Sequence, residues 1–482
     1  MKIAMIPIDN RPVCYTLPKE IADIDKDLEL FLPDRGLLGG LRSKADVQEI
    51  LKWLETIGQV DAIVISLDTI AHGGLISSRR SNDSLDEIKS RLYTFKEKLE
   101  NDVNVKGKIY AFSSIMRISN NNVNEEEKEY WSEYGTKIFE YSQKFHKEGI
   151  ETEEVPKEIL TDYLATRHRN FSINKMYLDW LEEGFFNTLV FSKDDCSEFG
   201  LNVLEAQILK RIIAEKKTSD NEAYAFIKTG ADEIPLALFA RAVCDYNKKV
   251  KFKAAPKILP KFLAPESKDL ISNYEDISIE KCVNAQVELA CNYDSREIGE
   301  QNSDILLIIN NFVDNQGEIV MDIKTQPFLG KFESPKKPFM VADVRYANGA
   351  DNEFVKKLFA KKFDFRNFYG YSAWNTSANT VGSLICAAVV RFFAQNYDEA
   401  AFKKLQMVRF LDDWAYQANV RQFIKQRAKG KGQSVVRPDF RELKPLMFLY
   451  EKKLNNVLGI KPHEIKYKFP WKRFFEVEVI IK

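Results

Sequence analysis

The sequence predicts a parallel α/β fold, and two observations carry this prediction. Short apolar runs recur along the chain, and each leads into a polar turn and then a stretch with apolar residues at helical spacing. The runs are apolar on both faces, which is typical of strands in a parallel sheet covered by helices on both sides. The predicted strands are Lys2–Ile8, Asp61–Leu67, Lys108–Ser114, Thr188–Lys193, Ala223–Lys228, Val250–Ala254, Asp304–Ile309, Phe339–Ala342 and Phe368–Ala373.

A strand number near eight favours a (β/α)8-like barrel, which we predict for residues 1–395. The alternative is two doubly wound lobes with a boundary near Pro256–Pro265, where three prolines lie close together. A charged and aromatic segment at 120–174 follows the third strand and is predicted to be a helical insertion. Residues 396–482 read as a C-terminal helical extension that ends in a strand at Phe474–Ile481.

The composition limits the function classes. Hydrophobic residues make up 45% of the 482 residues, enough for a large core. Lys plus Arg and Asp plus Glu both number 71, so no net charge attracts nucleic acid or an anionic membrane. We expect no targeting segment, because the first residues lack a basic region followed by a long apolar run, and no apolar run is long enough to span a bilayer. Six scattered cysteines predict reduced thiols, and we expect a cytoplasmic protein that binds a small molecule.

Polar side chains follow most of the predicted strands, at the end where the site of a parallel α/β fold lies. One Asp or Asn there is as typical of a helix cap as of a site, but caps do not require Arg, Trp and paired acids at the same end. In chain order the candidates are Asp9, Asn10, Arg11, Asp68, His72, Arg117, Asp194, Asp195, Asp232, Glu233, Asn310, Asp343, Trp374 and Asn375.

Two acidic pairs stand out, Asp194-Asp195 in SKDDC and Asp232-Glu233 in TGADE. Adjacent acids leaving a strand point in different directions, and their mutual repulsion raises one pKa towards neutrality. Such carboxylates suit glycoside cleavage, so these four are the predicted catalytic residues of a glycosidase-like hydrolase. The other ten candidates are predicted to bind the substrate, with Trp374 stacking on a sugar ring.

Two alternatives stay open. The same acids are hard oxygen ligands that suit Mg²⁺, Mn²⁺ or Ca²⁺ in a metal-dependent hydrolase or lyase. A zinc hydrolase is not expected, because the chain has four His and no HExxH. The second alternative is a non-catalytic protein that binds a sugar or another metabolite. Our first prediction requires neither a metal nor another cofactor.

Several motifs together resemble a bacterial family catalogued only as domain of unknown function 4127. They are IPIDNRPVCY, SLDTIAHGGLISSR, SSIMRIS, TRHRNFSIN, SKDDCSEFGLN, TGADE, YSAWNTSANTVG and PWKRFFEVEV, and they extend over essentially the whole chain. The resemblance implies no established activity.

The Asp-Asp pair and the later Trp-Asn turn are also similar to the layout of barrel hexosaminidases that use substrate assistance. That likeness implies that Asp194 orients an acetamido group and that Asp195 is the general acid. This sequence departs from that layout because TGADE supplies a second acidic pair. The sequence therefore leaves open which pair does the chemistry.

Overall fold

The computed structural model describes residues 1–101, 108–151, 153–216, 224–360, 364–430 and 440–482, without the side chains of 428–430 and 440–442. The chain divides into two units. The first consists of Met1–Tyr15, Leu28–Ala242 and Tyr274–Asp276, and the second of Thr16–Asp27, Val243–Asn273 and Ile277–Lys482. Each unit contains its own parallel sheet.

Six parallel strands form the sheet of the first unit, in the spatial order β2-β1-β3-β4-β5-β6. Their bounds are β1 Lys2–Ile6, β2 Glu29–Phe31, β3 Ala62–Ser66, β4 Ile109–Ile115, β5 Thr188–Lys193 and β6 Tyr224–Thr229. The chain runs from β1 to β2 on one side, and the next connection crosses from β2 to β3 on the other side of β1. This reversal makes the sheet doubly wound, with its switch point between β1 and β3.

The helices of this part of the chain follow its strands. They are α1 Pro12–Ala22, α2 Val47–Thr56, α3 Leu67–His72, α4 Leu75–Arg80, α5 Leu85–Glu100, α6 Trp131–Glu148, α7 Lys157–Glu182, α8 Leu201–Lys216 and α9 Ile234–Lys251. Helix α5 shows how the sequence specifies them. Ser84 and Glu87 form a capping box at its start, and Ile88, Leu92 and Phe95 are buried on one face.

The second unit contains a four-stranded parallel sheet in the order β12-β10-β8-β7 and two small two-stranded sheets, β9 with β11 and β13 with β14. The strands are β7 Ile258–Phe262, β8 Ile305–Asn310, β9 Gly317–Glu318, β10 Phe339–Asp343, β11 Tyr346–Ala347, β12 Phe368–Ser372, β13 Ile465–Lys468 and β14 Glu478–Ile481. The helices are α10 Ile279–Cys291, α11 Asn352–Leu358, α12 Ser377–Phe393, α13 Glu399–Arg409, α14 Arg421–Gly430 and α15 Phe440–Leu458. A π-helix at Phe410–Val420 separates α13 from α14.

The predicted parallel α/β fold is confirmed. The described strands do not show a closed barrel, because β1–β6 and the other parallel strands belong to separate sheets. Helix α6 and most of α7 lie within the segment 120–174, α7 continues beyond it to Glu182, and β14 lies within the segment predicted as the terminal strand. The first residue of the predicted strand 223–228 lies outside the described residues. None of the described helices is long and apolar enough to cross a membrane.

The strand predicted at Val250–Ala254 is wrong, because helix α9 continues to Lys251 and the strand lies later, at β7. Pro260 lies inside β7. Proline cannot donate to a strand ladder and is tolerated mainly on edge strands, and β7 is at the edge of its sheet. The prolines near 256–265 therefore surround an edge strand, and the two units part earlier in the chain, at Ala242 and Val243.

Candidate active site

Most of the predicted site residues follow the strands of the first sheet. Ten of the fourteen belong to the first unit, among them all four predicted catalytic acids. The switch point between β1 and β3 is flanked by Asp9 and Asp68, which follow these two strands. Ligands in open parallel sheets bind at such a switch point, beside the carboxyl ends of the strands. This edge of the sheet is therefore the candidate site.

The central feature of this edge is a group of four carboxylates and two guanidinium groups. We call it the acidic cluster, and it consists of Arg79, Arg117, Glu126, Glu127, Asp194 and Asp195. Arg79 is buried, and its Nη2 donates to Oδ2 of Asp194 at 2.8 Å. Nη1 of Arg117 donates to Oδ2 of Asp195 at 2.8 Å and lies 3.5 Å from Oδ2 of Asp194. The two adjacent aspartates thus have different principal partners.

The two aspartates also differ in exposure and backbone. The side chain of Asp194 is 17% exposed, whereas that of Asp195 is 39% exposed. Asp195 has φ 39°, a left-handed conformation that is strained for a residue with a Cβ. Desolvation by the surrounding protein and the charge of Asp194 raise the pKa of Asp195 to about 6, although Arg117 acts to lower it. Asp195 is therefore the more exposed acid of the pair, and desolvation and the charge of Asp194 raise its pKa towards neutrality.

Two glutamates complete the acidic cluster from the loop after β4. Glu126 accepts from Nη2 of Arg117 at 2.8 Å, and Glu127 accepts from Nε of Arg117 at 3.2 Å. Each glutamate also lies 3.4 Å from Nη1 of Arg79. Glu127 is 3% exposed, so it is an internal brace for both arginines. Sequence reasoning missed Glu126, Glu127 and Arg79, since none of them follows a strand directly.

A second ion-paired group joins the ends of β1 and β6. Arg11 donates from Nη1 to Oδ2 of Asp232 at 3.0 Å and from Nε to Oδ2 of Asp9 at 2.8 Å. Two carboxylates share one guanidinium here, which favours a proton on one of them. Burial, together with the charge of Asp9, raises the pKa of Asp232 to about 7, against the lowering effect of Arg11. Asn10, another predicted substrate-binding residue, contacts the neighbouring loops through its backbone. Its N–H donates to the carbonyl of Gly39, and its carbonyl accepts from Nε of Arg35.

The same group contains atoms that could ligate a metal ion. Asp9, Cys14 and Asp232 offer three ligand atoms within 4.8 Å of one another, and all three residues are buried. However, Arg11 already occupies oxygens of both carboxylates. These residues fit a guanidinium and do not fit a metal ion.

Glu233, the second acid of TGADE, turns back on its own loop. Its Oε2 accepts from the backbone N–H of Ala231 at 3.1 Å, and the residue is fully buried. Gly230 makes this possible, because it has φ 107° and a Cβ there would lie 1.7 Å from Oε1 of Glu233. Glu233 therefore belongs to the turn that precedes α9. Of the two predicted acidic pairs, Asp194-Asp195 contains the more exposed carboxylate, that of Asp195.

Helix α3 carries two further candidates one turn apart. Asp68 is buried, and its Oδ2 accepts from the backbone N–H of Ser114 at 2.8 Å, which ties α3 to β4. Burial raises the pKa of Asp68 to about 6, although the hydrogen bonds from Ser114 lower it. His72 ends the helix and is followed by Gly73, whose φ of 83° is a left-handed cap.

The remaining four candidates belong to the second unit, where they form internal contacts. Asn310 donates to Oδ1 of Asp343 at 2.8 Å and accepts from Nε of Arg345 at 3.1 Å. Tyr371 donates to Oδ2 of Asp343 at 2.9 Å. Burial and the charge of Asp351 raise the pKa of Asp343 to about 7. These side chains are buried and hydrogen-bonded to one another, an arrangement that stabilises the carboxyl edge of the second sheet.

The predicted sugar-stacking residue, Trp374, is 4% exposed and packs edge-on against Phe475 at a ring separation of 6.4 Å. Asn375 follows it with φ 58°, and its carbonyl accepts from the N–H of Asn348 at 2.8 Å. The Trp-Asn pair therefore forms a tight turn in the second unit. Its indole face is covered by protein.

Three comparisons with known proteins bear on the chain. A family model described as "Protein of unknown function (DUF4127)" matches residues 3–480, essentially the whole chain. Neither the curated proteins nor the solved structures include one that matches.

Proposed function

The chain belongs to the family described as protein of unknown function DUF4127, and from its site we propose that it is a hydrolase that cleaves glycosides by acid/base catalysis at the acidic cluster. One observation carries the proposal, namely the unequal environment of two adjacent aspartates. Asp194 is held by the buried Arg79, whereas Asp195 is 39% exposed with a pKa of about 6. A general acid needs both access to the substrate and a pKa near the working pH.

Asp195 donates its proton to the leaving-group oxygen in this proposal. The bond from that oxygen to the anomeric carbon breaks, water supplies the hydroxyl that replaces it, and the other proton of that water returns to Asp195. Asp194 stays ionised beside Arg79 and either orients the substrate or stabilises the positive charge that develops on the sugar ring. The orienting role of Asp194 and the acid role of Asp195 are those that the likeness to barrel hexosaminidases implies.

The charge of the acidic cluster supports the same reaction. Four carboxylates face two guanidinium groups, so the cluster keeps an excess of negative charge even when Asp195 is protonated. Such a site stabilises an oxocarbenium-like transition state, which is positively charged. It also repels phosphate and carboxylate substrates, which favours a neutral saccharide.

Asp232 and Glu233, the second acidic pair, are less suited to acid/base catalysis than Asp194 and Asp195. Both oxygens of Asp232 accept from Arg11, and Glu233 accepts from its own turn. We propose that Asp232 and Glu233 stabilise the loops beside the acidic cluster. The six cysteines are free and buried in the structure, which supports action in a reducing compartment such as the cytoplasm.

Phenyl glycosides of several neutral sugars, assayed by release of phenol, test the proposal. We expect wild-type protein to cleave at least one of them and Asp195→Asn to lose activity by about 10²- to 10⁴-fold, the usual contribution of a general acid. Glu198→Gln is the matched control, because Glu198 is an exposed acid three residues away and lies outside the cluster. Full activity of Asp195→Asn on the substrate that the wild type cleaves would overturn the assignment. Absence of cleavage of every glycoside would overturn the reaction class.

A further inference from the structure

Residues 194–200 form the loop between β5 and α8, and the two aspartates of the acidic cluster lie at its start. Asp195 has φ 39°, and a residue keeps such a strained conformation only when the surrounding contacts fix the chain. Its side chain is paired with Arg117, and the N–H of Cys196 donates to the carbonyl of Tyr274 at 3.0 Å. The direction of the Asp195 carboxyl group therefore also depends on what holds the rest of the loop.

Helix α6 supplies two hydrogen-bond acceptors to the other end of this loop. The N–H of Gly200 donates to Nδ1 of His146 at 3.0 Å, and the N–H of Leu201 donates to Oγ of Ser142 at 2.8 Å. Ser142 and His146 are four residues apart, so their side chains lie on the same face of α6. Both donors are at the start of α8, where N–H groups have no partner within the helix. The loop is thus bound to α6 at two consecutive residues.

The ring of His146 also packs against the loop. It meets Phe199 edge-on at a centroid separation of 5.5 Å, and Nζ of Lys147 lies 4.3 Å from the centre of the Phe199 ring. The nitrogen that accepts from Gly200 carries no proton, so the imidazole proton is on Nε2. His146 is partly exposed, and it contacts the loop through both a hydrogen bond and its ring.

We propose that His146 is a positioning residue for Asp195, because its Nδ1 holds the loop in the conformation that presents this acid to a substrate. The role rests on the proposed function, in which Asp195 is the proton donor. His146 acts through the loop backbone and needs no contact with the substrate. Glu126 and Glu127, which bind Arg117, come from the loop before α6. The predicted insertion at 120–174 therefore arranges the acidic pair from two sides.

Amide hydrogen exchange of the full chain tests the contact without any substrate. His146→Phe keeps a ring beside Phe199 and removes the acceptor, so residues 196–201 should exchange at least about tenfold faster than in the wild type, the equivalent of one hydrogen bond. His146→Asn carries an oxygen at the position of Nδ1 and should stay within about threefold of the wild type.

Two further variants complete the exchange measurement. His146→Ala removes the acceptor without adding bulk and should match His146→Phe. His168→Phe makes the same change at an exposed position of α7 and should exchange as the wild type does. Unchanged exchange in both His146→Phe and His146→Ala would overturn the proposal.

Kinetics on two glycosides of one cleaved sugar separate positioning from general stability. If His146 acts through Asp195, His146→Phe should lower kcat/KM about tenfold on the phenyl glycoside and less than about threefold on the 2,4-dinitrophenyl glycoside, whose leaving group needs no proton. His146→Asn should restore most of the rate on the phenyl glycoside. A loss of folded protein alone would reduce both rates equally, so equal losses would contradict the positioning role. If no glycoside is cleaved, the proposed function fails, whereas the exchange result still decides whether His146 holds the loop.

Discussion

Arg117 donates from Nη1 to Oδ2 of Asp195 at 2.8 Å, and the same guanidinium is held from its other side by Glu126 and Glu127. This contact acts to lower the pKa of Asp195. The cation favours the ionised form of Asp195, while desolvation and Asp194 favour the protonated form. The balance leaves the pKa near 6, and it can be altered by changing Arg117 alone.

Replacement of Arg117 by Gln should move the pH dependence of turnover. Loss of the cation raises the pKa of Asp195, so the acid stays protonated to higher pH and the alkaline limb of kcat/KM against pH shifts upwards. Arg117→Lys keeps a positive charge and should shift the limb less. The measurement is the pH-rate profile on a cleaved phenyl glycoside. A shift of the alkaline limb to lower pH in Arg117→Gln would argue against this electrostatic role.

Asp68→Asn should change how stability depends on pH. The folded protein holds the proton of Asp68 up to about pH 6, whereas the unfolded chain releases it near pH 4. Its contribution is therefore present below pH 4 and is lost as the pH rises through 6. The free energy of unfolding of the wild type should fall relative to that of Asp68→Asn by up to about 3 kcal/mol over this window. Urea unfolding at pH 4 and pH 7 measures the difference, and an identical difference at both values would contradict the raised pKa.

Gly230→Ala should destabilise the turn that carries Asp232 and Glu233. The added Cβ would lie 1.7 Å from Oε1 of Glu233, and φ of 107° is unfavourable for alanine. We expect a loss well above the roughly 1 kcal/mol that a left-handed glycine alone contributes. Gly58→Ala is the control, since Gly58 has φ 70° and no atom within 4 Å of its Cβ position. Thermal unfolding of the two variants compares them, and equal losses would show that the Glu233 contact has no effect.

Chelation should leave the proposed activity unchanged. The carboxylates of Asp9 and Asp232 already bind Arg11, so no step of the proposed reaction depends on a metal there. Turnover of a cleaved glycoside before and after dialysis against EDTA, with Mg²⁺, Mn²⁺ or Ca²⁺ added back, is the measurement. Loss of activity that one of these ions restores would favour the metal-dependent alternative.

The parallel sheets were predictable because their strands are continuous apolar runs, as in Thr188–Lys193, which the structure reproduces with the same bounds. Strand β7 was not predictable, because Pro260 and the half-buried positions of an edge strand weaken the apolar pattern. The separation of the strands into two sheets also has no local signal. The separation depends on which strands pair, and the strands of the two sheets have a similar apolar content.

The candidate site was predictable where side chains leave strands directly, as Asp194 and Arg117 do. Arg79, Glu126 and Glu127 lie on a helix and a loop, and only tertiary packing brings them to the aspartates. The direction of a side chain was also beyond prediction. Glu233 folds over Gly230 because of one left-handed backbone angle, and Trp374 is covered by its own unit.

The leaving-group dependence of Asp195→Asn tests the central claim most directly. A general acid matters most when the leaving group is poor, because a poor leaving group needs the proton as its bond breaks. With one cleaved sugar, kcat/KM of the variant should fall about 10²- to 10⁴-fold for the phenyl glycoside and less than tenfold for the 2,4-dinitrophenyl glycoside. Glu198→Gln should match the wild type on both. Equal losses on the two substrates, or no loss on the phenyl glycoside, would contradict the assignment of Asp195 as the proton donor.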